Sequence, residues 1–532
     1  MKSLRVILVL LLSLFLFCCS SKTYRINFID FYGDIVSSHL LEEGSLIDYP
    51  ELDDVEGYDF IAWDYNEVYA IEDVDISAVY EIKKFNVRFY DYFNELIEEQ
   101  IVNYGSDAVA PNLSNYDYLK FVSWDKDFTN VKRNLEVKAI YKIANNDYEI
   151  NDYRYWIINA SIKYDVKEII LSEEEIQEYN NTILSNYNNT KVLDLCIEMN
   201  NISKTDLTNL IEAYSNINKY SVYNNDTSNK LNSNNLNEIL NNRNINGIKE
   251  ENEVKYAIVT SFAWIRSYPT IAYSDSYKTD RFQETSVNVG EGLRVYHESV
   301  DGKWCFVQAQ NYNGWILKEK IAFCEFSQMK DFLKEKDFAL VISDYVMLEG
   351  ELVRMGQRFP IINETLDKFI ISFPMRDSRG DLFFKDIEVL KIDFNKGYLE
   401  YTLENVFKQA FKLLGINYSW GDKEEDGRDC SSTQNAVYSC FGFMMPRNTS
   451  NQRKIDNYGI NVNGINGAYL KANYRPGSLI FSSGHVMMYI GEDLNGKSYI
   501  LHNTSSNDGK CILQSLDSYG GNKIIAVLKL YN

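Results

Sequence analysis

Three side chains near the C-terminus have the chemistry for nucleophilic catalysis: the thiol of Cys430 and the imidazoles of His485 and His502. The chain has only four histidines, and these two lie on apolar, strand-like runs downstream of the cysteine. A thiol, an imidazole that takes its proton and a second imidazole that orients the first form the catalytic set of a cysteine hydrolase. We therefore predict Cys430 as the nucleophile, His485 as the base and His502 as the orienting residue.

Local sequence predicts the elements that hold these side chains. A helix is expected to begin at Cys430, where the helix dipole and a neighbouring imidazolium would lower the pKa of the thiol and give a thiolate at neutral pH. His485 and His502 lie on two runs joined by a turn at residues 491–497. Pairing of residue 485 with either residue 502 or residue 506 would put both rings on one face of the sheet.

Five short motifs follow one another in this region. They are Tyr418-Ser-Trp-Gly421, Asp429-Cys430-Ser431-Ser432, Met445-Pro-Arg447, Pro476-Gly-Ser-Leu-Ile-Phe481 and Gly484-His485-Val. In order and approximate spacing they resemble the NlpC/p60 family of papain-like cell-wall cysteine peptidases, over residues 400–532. The resemblance implies an α+β papain-like domain that cleaves the γ-D-glutamyl–diamino-acid bond of peptidoglycan stem peptides or muropeptides through a thioester.

The resemblance also implies roles for residues around the nucleophile. The backbone N–H of Cys430 and the hydroxyl of Tyr418 are the family's candidates for donating hydrogen bonds to the developing oxyanion. Ser431 is assigned with them to substrate binding. Asp429 is open to two interpretations, as a helix cap or as a participant in the chemistry.

One position departs from the family pattern. Asn448 follows the Pro446-Arg447 pair, where relatives that cut short, free wall peptides often have Asp, whose carboxylate holds the free N-terminal amine of the peptide. A neutral amide weakens that ion pair, so strict selection for a free amine is not expected from Asn448. Intact cross-linked wall, another acyl group or a repurposed site all remain open as alternatives.

Two β-rich segments precede the peptidase-like region. Residues 255–327 contain one Asp-Gly turn before Trp304 and one Asn-Gly turn before Trp315, and they resemble the bacterial SH3-like domains found beside cell-wall peptidases. Residues 335–396 are predicted to form a second SH3-like β-barrel. In multidomain members of the family the first such domain caps one end of the cleft, which makes Tyr312, on a loop, a candidate for ligand contact.

Residues 145–252 are rich in Asn and predicted to be helical, with a capping box at Ser172-Glu-Glu-Glu175. The segment shows no residues arranged for chemistry, so we interpret it as a helical region that stabilises the domains after it.

Residues 23–82 and 83–143 are two copies of one repeat at a constant offset of 61 residues. Equivalent positions are Phe28 and Phe89, Asp30 and Asp91, Gly44 and Gly105, Pro50 and Pro111, Phe60 and Phe121, Trp63 and Trp124, and Tyr80 and Tyr141. Alternating apolar and polar residues at both ends of each copy predict strands. The pattern resembles the B-repeats of listerial internalins, β-grasp-like modules, which implies either a spacer or a binding unit for a surface ligand.

The N-terminus predicts export. Lys2 and Arg5 precede an apolar run that is too short to span a bilayer and ends at Cys18 and Cys19. Residues 1–19 resemble a bacterial lipoprotein signal, whose cleavage would leave Cys19 carrying lipid. The expected location is the cell envelope, at the periplasmic face or the cell surface, with membrane attachment through the lipid. A plain cleaved signal or an uncleaved anchor is the alternative.

Composition limits the partners. A net charge of -22 argues against binding to a nucleic-acid backbone, and the cysteines form no CxxC pair that would suit zinc, so neither a metal nor another cofactor is expected. Two other functions remain open beside hydrolysis. One is a surface adhesin or binding lipoprotein whose peptidase module is inactive or only grips its ligand, and the other is an acyltransferase or deamidase that uses the same triad.

Overall fold

The computed structural model describes residues 21–91, 94–113, 119–143, 149–161, 163–214, 216–275, 279–455, 459–461, 466–493, 495–520 and 524–531. The chain divides into two compact units, residues 1–148 and residues 149–532. The predicted signal and its lipid-attachment residue Cys19 lie outside the described residues. Within the described part of the chain, no helix has the length and apolar character needed to cross a membrane.

The first unit contains two four-stranded sheets of the same topology, in the orders β2-β1-β4-β3 and β6-β5-β8-β7. In each sheet the first and last strands pair in parallel at the centre, and the remaining pairs are antiparallel. The strands are β1 (Thr23–Ile29), β2 (Ile35–Glu42), β3 (Tyr58–Trp63), β4 (Val74–Ile82), β5 (Lys84–Tyr90), β6 (Leu96–Asn103), β7 (Leu119–Trp124) and β8 (Leu135–Ile143). The β-grasp-like, internalin-type interpretation of these repeats stays a prediction.

The repeats fold alike because equivalent residues fill their cores. Phe28 is fully buried and packs edge-on against Trp63, with ring centroids 4.8 Å apart. In the second copy Phe89 is equally buried and packs against Trp124 at 5.1 Å. Alternation along each first strand sends these rings to one face of the sheet, as the period-2 pattern predicts.

The second unit begins with helices and three short strands. They are α1 (Tyr153–Ser161), α2 (Glu173–Ser185), α3 (Tyr187–Thr190), α4 (Lys204–Glu212), α5 (Ser233–Asn242), β9 (Asn201–Ser203), β10 (Val222–Tyr223) and β11 (Glu251–Glu253). The predicted capping box is present at the start of α2, where Ser172 accepts a hydrogen bond from the Glu175 N–H and the Glu175 carboxylate accepts one from the Ser172 N–H.

A seven-stranded antiparallel sheet follows, in the order β15-β13-β18-β17-β16-β12-β19. Its strands, with the short β14 that pairs with β10, are β12 (Lys255–Val259), β13 (Ala263–Arg266), β14 (Tyr273–Ser274), β15 (Gln283–Val287), β16 (Gly292–Glu298), β17 (Trp304–Gln308), β18 (Asn313–Leu317) and β19 (Ile321–Cys324). This sheet corresponds to the first predicted SH3-like barrel, and we call it the first barrel.

A helix, a five-stranded sheet in the order β25-β24-β23-β20-β26 and a separate hairpin come next. They are α6 (Phe326–Lys334), β20 (Phe338–Val341), β21 (Tyr345–Leu348), β22 (Glu351–Arg354), β23 (Arg358–Glu364), β24 (Lys368–Arg376), β25 (Leu382–Leu390) and β26 (Phe394–Lys396). We call residues 335–396 the second barrel, and their SH3-like character stays a prediction.

The helical region and both barrels share one apolar core. Leu207 of α4, Trp315 of the first barrel and Phe359 of the second are all fully buried in it. Because these segments bury their apolar faces against one another, they form a common support for the C-terminal domain.

The C-terminal domain has an antiparallel six-stranded sheet in the order β27-β32-β28-β29-β30-β31. Its elements are α7 (Leu403–Lys412), α8 (Cys430–Ser439), α9 (Thr449–Gln452), α10 (Gly467–Asn473), α11 (Leu516–Tyr519), β27 (Gly459–Asn461), β28 (Leu479–Ser482), β29 (His485–Glu492), β30 (Ser498–Asn503), β31 (Cys511–Ser515) and β32 (Ala526–Leu528). Helix α8 packs against β29 and β30, which brings its N-terminus to the strands that carry the histidines.

The register of the histidine hairpin differs from the prediction. Met488 pairs with Leu501, and a bulge between Tyr489 and Gly491 shifts the pairing toward the turn. The predicted partners of residue 485 are therefore wrong, because turn length alone does not reveal a bulge. The observed register differs by two residues from each predicted one at the histidine end, and a shift of two preserves the face.

Candidate active site

The predicted nucleophile lies at the start of helix α8, with Cys430 as the first residue of the helix and Asp429 as its cap. The Asp429 side chain accepts a hydrogen bond from the Ser432 N–H at 2.9 Å, and the Ser432 hydroxyl accepts one from the Asp429 N–H at 3.0 Å. This reciprocal cap satisfies backbone donors that a helix start leaves open. Asp429 is thus a helix cap, one of its two predicted interpretations.

Arg447 holds Asp429 from the other side. Its Nη2 donates to Asp429 Oδ2 at 2.7 Å, and its Nη1 donates to Asp429 Oδ1 at 3.2 Å and to the Ser431 hydroxyl at 2.9 Å. Burial raises the pKa of the Asp429 carboxyl, but the charge and hydrogen bonds of Arg447, together with the hydrogen bonds from Ser432 and Ser431, outweigh burial and hold that pKa below its ordinary value. Asp429 is therefore ionised at neutral pH, and the Ser431 hydroxyl belongs to the same network.

The thiol of Cys430 is enclosed, with 7% of the residue exposed. Its Sγ lies 3.7 Å from the Thr449 hydroxyl and beside the backbone N–H of Val486. Burial raises the pKa of the thiol to about 11, and the negative charge of Asp429 acts in the same direction. The hydrogen bonds from Val486 and Thr449 oppose this rise without cancelling it.

The two imidazoles form a hydrogen-bonded pair that ends on an amide. His485 Nε2 lies 2.7 Å from His502 Nδ1, and His502 Nε2 lies 2.9 Å from Gln514 Oε1. The ring of Tyr519 lies beside both, with centroids 6.2 Å from His485 and 5.6 Å from His502. The predicted pairing of His485 with His502 is therefore present.

Both imidazoles are neutral at neutral pH. Burial lowers the pKa of His485 to about 4, His502 adds to the effect, and Asp429 opposes it. Burial also lowers the pKa of His502 to about 4, against the hydrogen bond to Gln514.

These shifts correct the expectation of a thiolate at neutral pH. The helix N-terminus is present at Cys430, but the loss of water around the thiol disfavours the charged form more strongly than the dipole favours it. At neutral pH the thiol of Cys430 and the imidazole of His485, on the neighbouring helix α8 and strand β29, are therefore both neutral.

Tyr418 stands near this thiol. Burial raises the pKa of its hydroxyl, and the proximity of Cys430 and Asp429 raises it further. The backbone N–H of Tyr418 donates to the Gly509 carbonyl at 2.6 Å, which fixes the residue between two loops. Its hydroxyl remains protonated at neutral pH and has the chemistry to donate to an oxyanion.

The first barrel adds a carboxylate beside the cleft. Tyr312 donates from its hydroxyl to Glu284 Oε2 at 2.5 Å, and the Ser267 hydroxyl donates to the same carboxylate. Tyr312 is also hydrogen-bonded to the Asn448 side chain, next to Thr449 at the thiol. Burial raises the pKa of the Glu284 carboxyl. The barrel thus places a tyrosine and an acid against the position where Asn448 departs from the family pattern.

Side chains of the first barrel fix the loop after Tyr418 by bonding its backbone. They are Gln283, which donates to the Gly421 carbonyl at 3.0 Å, Ser286, which donates to the Asp422 carbonyl at 3.1 Å, and Trp264, which donates to the Lys423 carbonyl at 2.8 Å. These contacts attach the first barrel to the peptidase domain beside the site. That the barrel caps one end of a substrate cleft stays a prediction.

Glu284 and Gln514 are among the residues of the site that were not predicted. Glu284 lies on a strand with ordinary alternation, and Gln514 lies on the last strand before α11. Neither has a sequence signal that separates it from a solvated strand residue, since each acquires its role from a neighbour on another strand or loop. Among the described residues, no group of three or more His, Cys, Asp or Glu side chains is placed to hold a metal ion.

Comparisons with known proteins agree with this geometry. Residues 415–523 match the NlpC/P60 family, and residues 270–317 match the SH3 domain of the SH3b1 type. The γ-D-glutamyl-L-lysine dipeptidyl-peptidase of Bacillus subtilis (strain 168) is 24% identical over 186 residues, which cover 33% of this chain and 59% of that protein's length.

A solved NlpC/P60 endopeptidase from Photobacterium damselae subsp. piscicida superposes with a TM-score of 0.55 at 17% identity, over 68% of this chain and 94% of that one. At this identity the likeness concerns the fold. The family expectation for the C-terminal region and the SH3-like expectation for the first barrel are confirmed. The C-terminal domain thus matches the NlpC/P60 family, a class of cysteine peptidases, over residues 415–523, and the first barrel matches the SH3 domain of the SH3b1 type over residues 270–317.

Proposed function

We propose that the chain is a peptidoglycan hydrolase, a cysteine endopeptidase that cleaves the γ-D-glutamyl–diamino-acid bond of wall stem peptides. The observation that supports this most directly is the placement of Cys430 at the start of a helix against the strand that presents His485, with His485 and His502 2.7 Å apart. The NlpC/P60 match and the dipeptidyl-peptidase activity of the Bacillus relative support the substrate class.

The reaction uses the neutral resting pair. As the sulfur of Cys430 bonds to the carbonyl carbon of the substrate, its proton passes to His485. The C–N bond breaks when His485 returns this proton to the leaving amine, and a thioester remains on Cys430. Water then adds to the thioester with His485 as base, and the cleaved acid leaves as the thiol re-forms.

The oxyanion of each tetrahedral intermediate needs donors that are already in place. The backbone N–H of Cys430 at the helix start and the protonated hydroxyl of Tyr418 meet this requirement. Asp429 does not take part in proton transfer, because Arg447 holds it ionised.

In this proposal, Glu284 of the first barrel provides the negative charge that binds the free amine of a short peptide. Asn448 offers no charge, whereas Glu284 reaches the same region through Tyr312. A buried carboxylate binds an ammonium group strongly because little water competes for either charge. The substrate in this proposal is therefore a stem peptide with a free N-terminus, bound across the junction of the barrel and the peptidase domain.

Export and lipid attachment complete the proposal. The apolar run before Cys19 supports a lipid anchor in the cell envelope, where the substrate is found. The first repeat exposes large apolar side chains, among them Tyr32, Leu40 and Leu46, which supports binding of a surface ligand as well as a spacer role.

Mass analysis of products from defined muropeptides tests the proposal. The full chain should release the diamino-acid fragment, Cys430→Ala should release none, and Cys440→Ala, which removes a buried thiol from the same helix region, should retain turnover. A product mass that corresponds to deamidation or acyl transfer would assign the triad to that chemistry instead. Binding of muropeptide without turnover would favour the adhesin alternative.

A further inference from the structure

We infer that Gln514 is a positioning residue. It sets the direction of the two hydrogen bonds that link Gln514 to His502 and His502 to His485, so that His485 offers an unprotonated Nδ1 to Cys430. The inference rests on the proposed roles of Cys430 as nucleophile and His485 as base. It is carried by the distances between polar atoms on three neighbouring strands, β29, β30 and β31.

The first step is the orientation of the Gln514 amide. Its Nε2 lies 3.2 Å from the Ser518 hydroxyl oxygen, and that hydroxyl donates to the Ser515 carbonyl at 2.9 Å. Because a hydroxyl has one proton, Ser518 can only accept from Gln514 while it donates to Ser515. The amide nitrogen therefore points to Ser518, and the amide oxygen points to His502.

The second step is the state of the two rings. A neutral imidazole has one N–H donor and one acceptor nitrogen. His502 Nε2 faces an oxygen that can only accept, at 2.9 Å, so it carries the proton and Nδ1 is the acceptor. His485 Nε2, 2.7 Å from that acceptor, must then carry the proton of its own ring. Nδ1 of His485 is therefore unprotonated, and its lone pair can accept the thiol proton.

If the Gln514 amide were reversed, the direction of both hydrogen bonds, to His502 and on to His485, would reverse as well. With the Gln514 nitrogen toward His502, Nε2 of His502 becomes an acceptor and Nδ1 becomes a donor to His485. His485 would then carry its proton on Nδ1 and have no base to offer Cys430. The orientation of one amide thus decides whether the resting site contains a general base.

A neutral amide suits this task better than a carboxylate. The groups that face the imidazole pair are Asp429 at the start of α8 and the ring of Tyr519 from α11. A carboxylate at position 514 would accept the same hydrogen bond but would also stabilise a protonated ring. Gln514 fixes the tautomer while leaving both rings neutral.

The tautomers can be observed directly by NMR of the full chain with ¹⁵N-labelled histidine, because only four histidines give signals. At neutral pH we expect both His485 and His502 in the Nε2–H form. Gln514→Leu removes the acceptor and should disturb both signals, and Ser518→Ala, which alters only an exposed hydroxyl, should give a mixture of forms. An Nδ1–H form of either ring in the wild type would overturn the inference.

Kinetics supply a second readout. Gln514→Leu should lower kcat by about 10- to 100-fold with KM within about 2-fold, by analogy with the loss seen when the partner that orients a metal-ligating histidine is removed. Gln514→Glu keeps the acceptor, so turnover at neutral pH should persist while the acid limb of the pH profile moves up by about one unit or more. Full activity of Gln514→Leu with an unchanged pH profile would also overturn the inference.

The two proposals fail in different ways. An inactive wild type with both rings in the Nε2–H form would contradict the proposed peptidase and leave the role of Gln514 intact. An active wild type with either ring in the Nδ1–H form would contradict the role of Gln514 and leave the peptidase intact.

Discussion

Arg354 and Asp422 form a buried ion pair between the second barrel and the peptidase domain, with Nη1 and Oδ2 3.2 Å apart. The other carboxylate oxygen of Asp422 accepts hydrogen bonds from the Asp429 N–H at 2.8 Å and from the Ser432 hydroxyl at 2.6 Å. Arg354 also donates to backbone carbonyls within residues 424–427. The cap of the nucleophile's helix is thus anchored, through one carboxylate, on a residue of the second barrel.

Replacing Arg354 should therefore affect both stability and turnover. In Arg354→Met, the buried Asp422 carboxylate keeps only its longer contact with Arg447, at 3.5 Å, and breaking a buried pair costs up to about 3–5 kcal/mol. We expect a lower midpoint of urea unfolding and a lower kcat, because the helix cap loses its support. Adding Asp422→Asn should recover part of the stability. Wild-type unfolding and turnover in Arg354→Met would contradict this role of the ion pair.

The protonation state of the nucleophile predicts its reactivity. With the pKa of Cys430 raised to about 11, iodoacetamide should modify it slowly at neutral pH and faster as the pH rises toward that value. A preformed thiolate–imidazolium pair would instead react at a nearly constant rate down to acidic pH. Mass spectrometry of the modified peptide gives the rate, with the partly exposed Cys196 as an internal comparison.

The imidazole pair predicts how stability depends on pH. The unfolded chain protonates His485 and His502 near pH 6.5, whereas the folded chain protonates them near pH 4. Between these values the unfolded state binds more protons, so stability falls as the pH drops through this window, by up to about 1.4 kcal/mol per pH unit for each ring.

The comparison that isolates this effect is His502→Gln against the wild type. Buried Glu284 has a raised pKa and acts in the opposite direction, so the total slope contains both contributions. The difference in urea midpoint between the two proteins should nevertheless change from pH 6.5 to pH 4 in favour of the variant. A difference that stays constant over this window would show that the folded rings titrate normally.

The site could be predicted from sequence where its geometry is local. A capping residue directly before a helical run places Cys430 at a helix start, and alternation along two neighbouring strands places His485 and His502 on one face. The bulge in the hairpin changed their register but preserved that face. The family motifs cover this same local framework, which is why the fold of the C-terminal domain agrees with the prediction.

The electrostatics of the site could not be predicted in this way. The pKa of Cys430 depends on how completely β29 and α9 enclose the thiol, and enclosure is a property of packing between elements. Glu284 and Arg354 come from two other domains and reach the site only after those domains have packed together. A single sequence contains no periodicity that would mark such residues.

We expect Glu284 to determine substrate selection by binding the free amine of the stem peptide. In Glu284→Gln the side chain keeps its size and its bond from Tyr312 but loses the charge that would bind a free amine. Because a hydrogen bond to a charged group contributes about 1.5–3 kcal/mol, KM for a stem peptide with a free N-terminus should rise about 10- to 100-fold. The same peptide with an acetylated N-terminus should show no such change, since it has no ammonium group to lose.

Tyr312→Phe is the matched control: it removes the hydroxyl bond to Glu284 and leaves the charge, so its effect on the free peptide should be smaller. Equal losses on free and acetylated peptides in Glu284→Gln would mean that the carboxylate supports the barrel wall rather than the substrate.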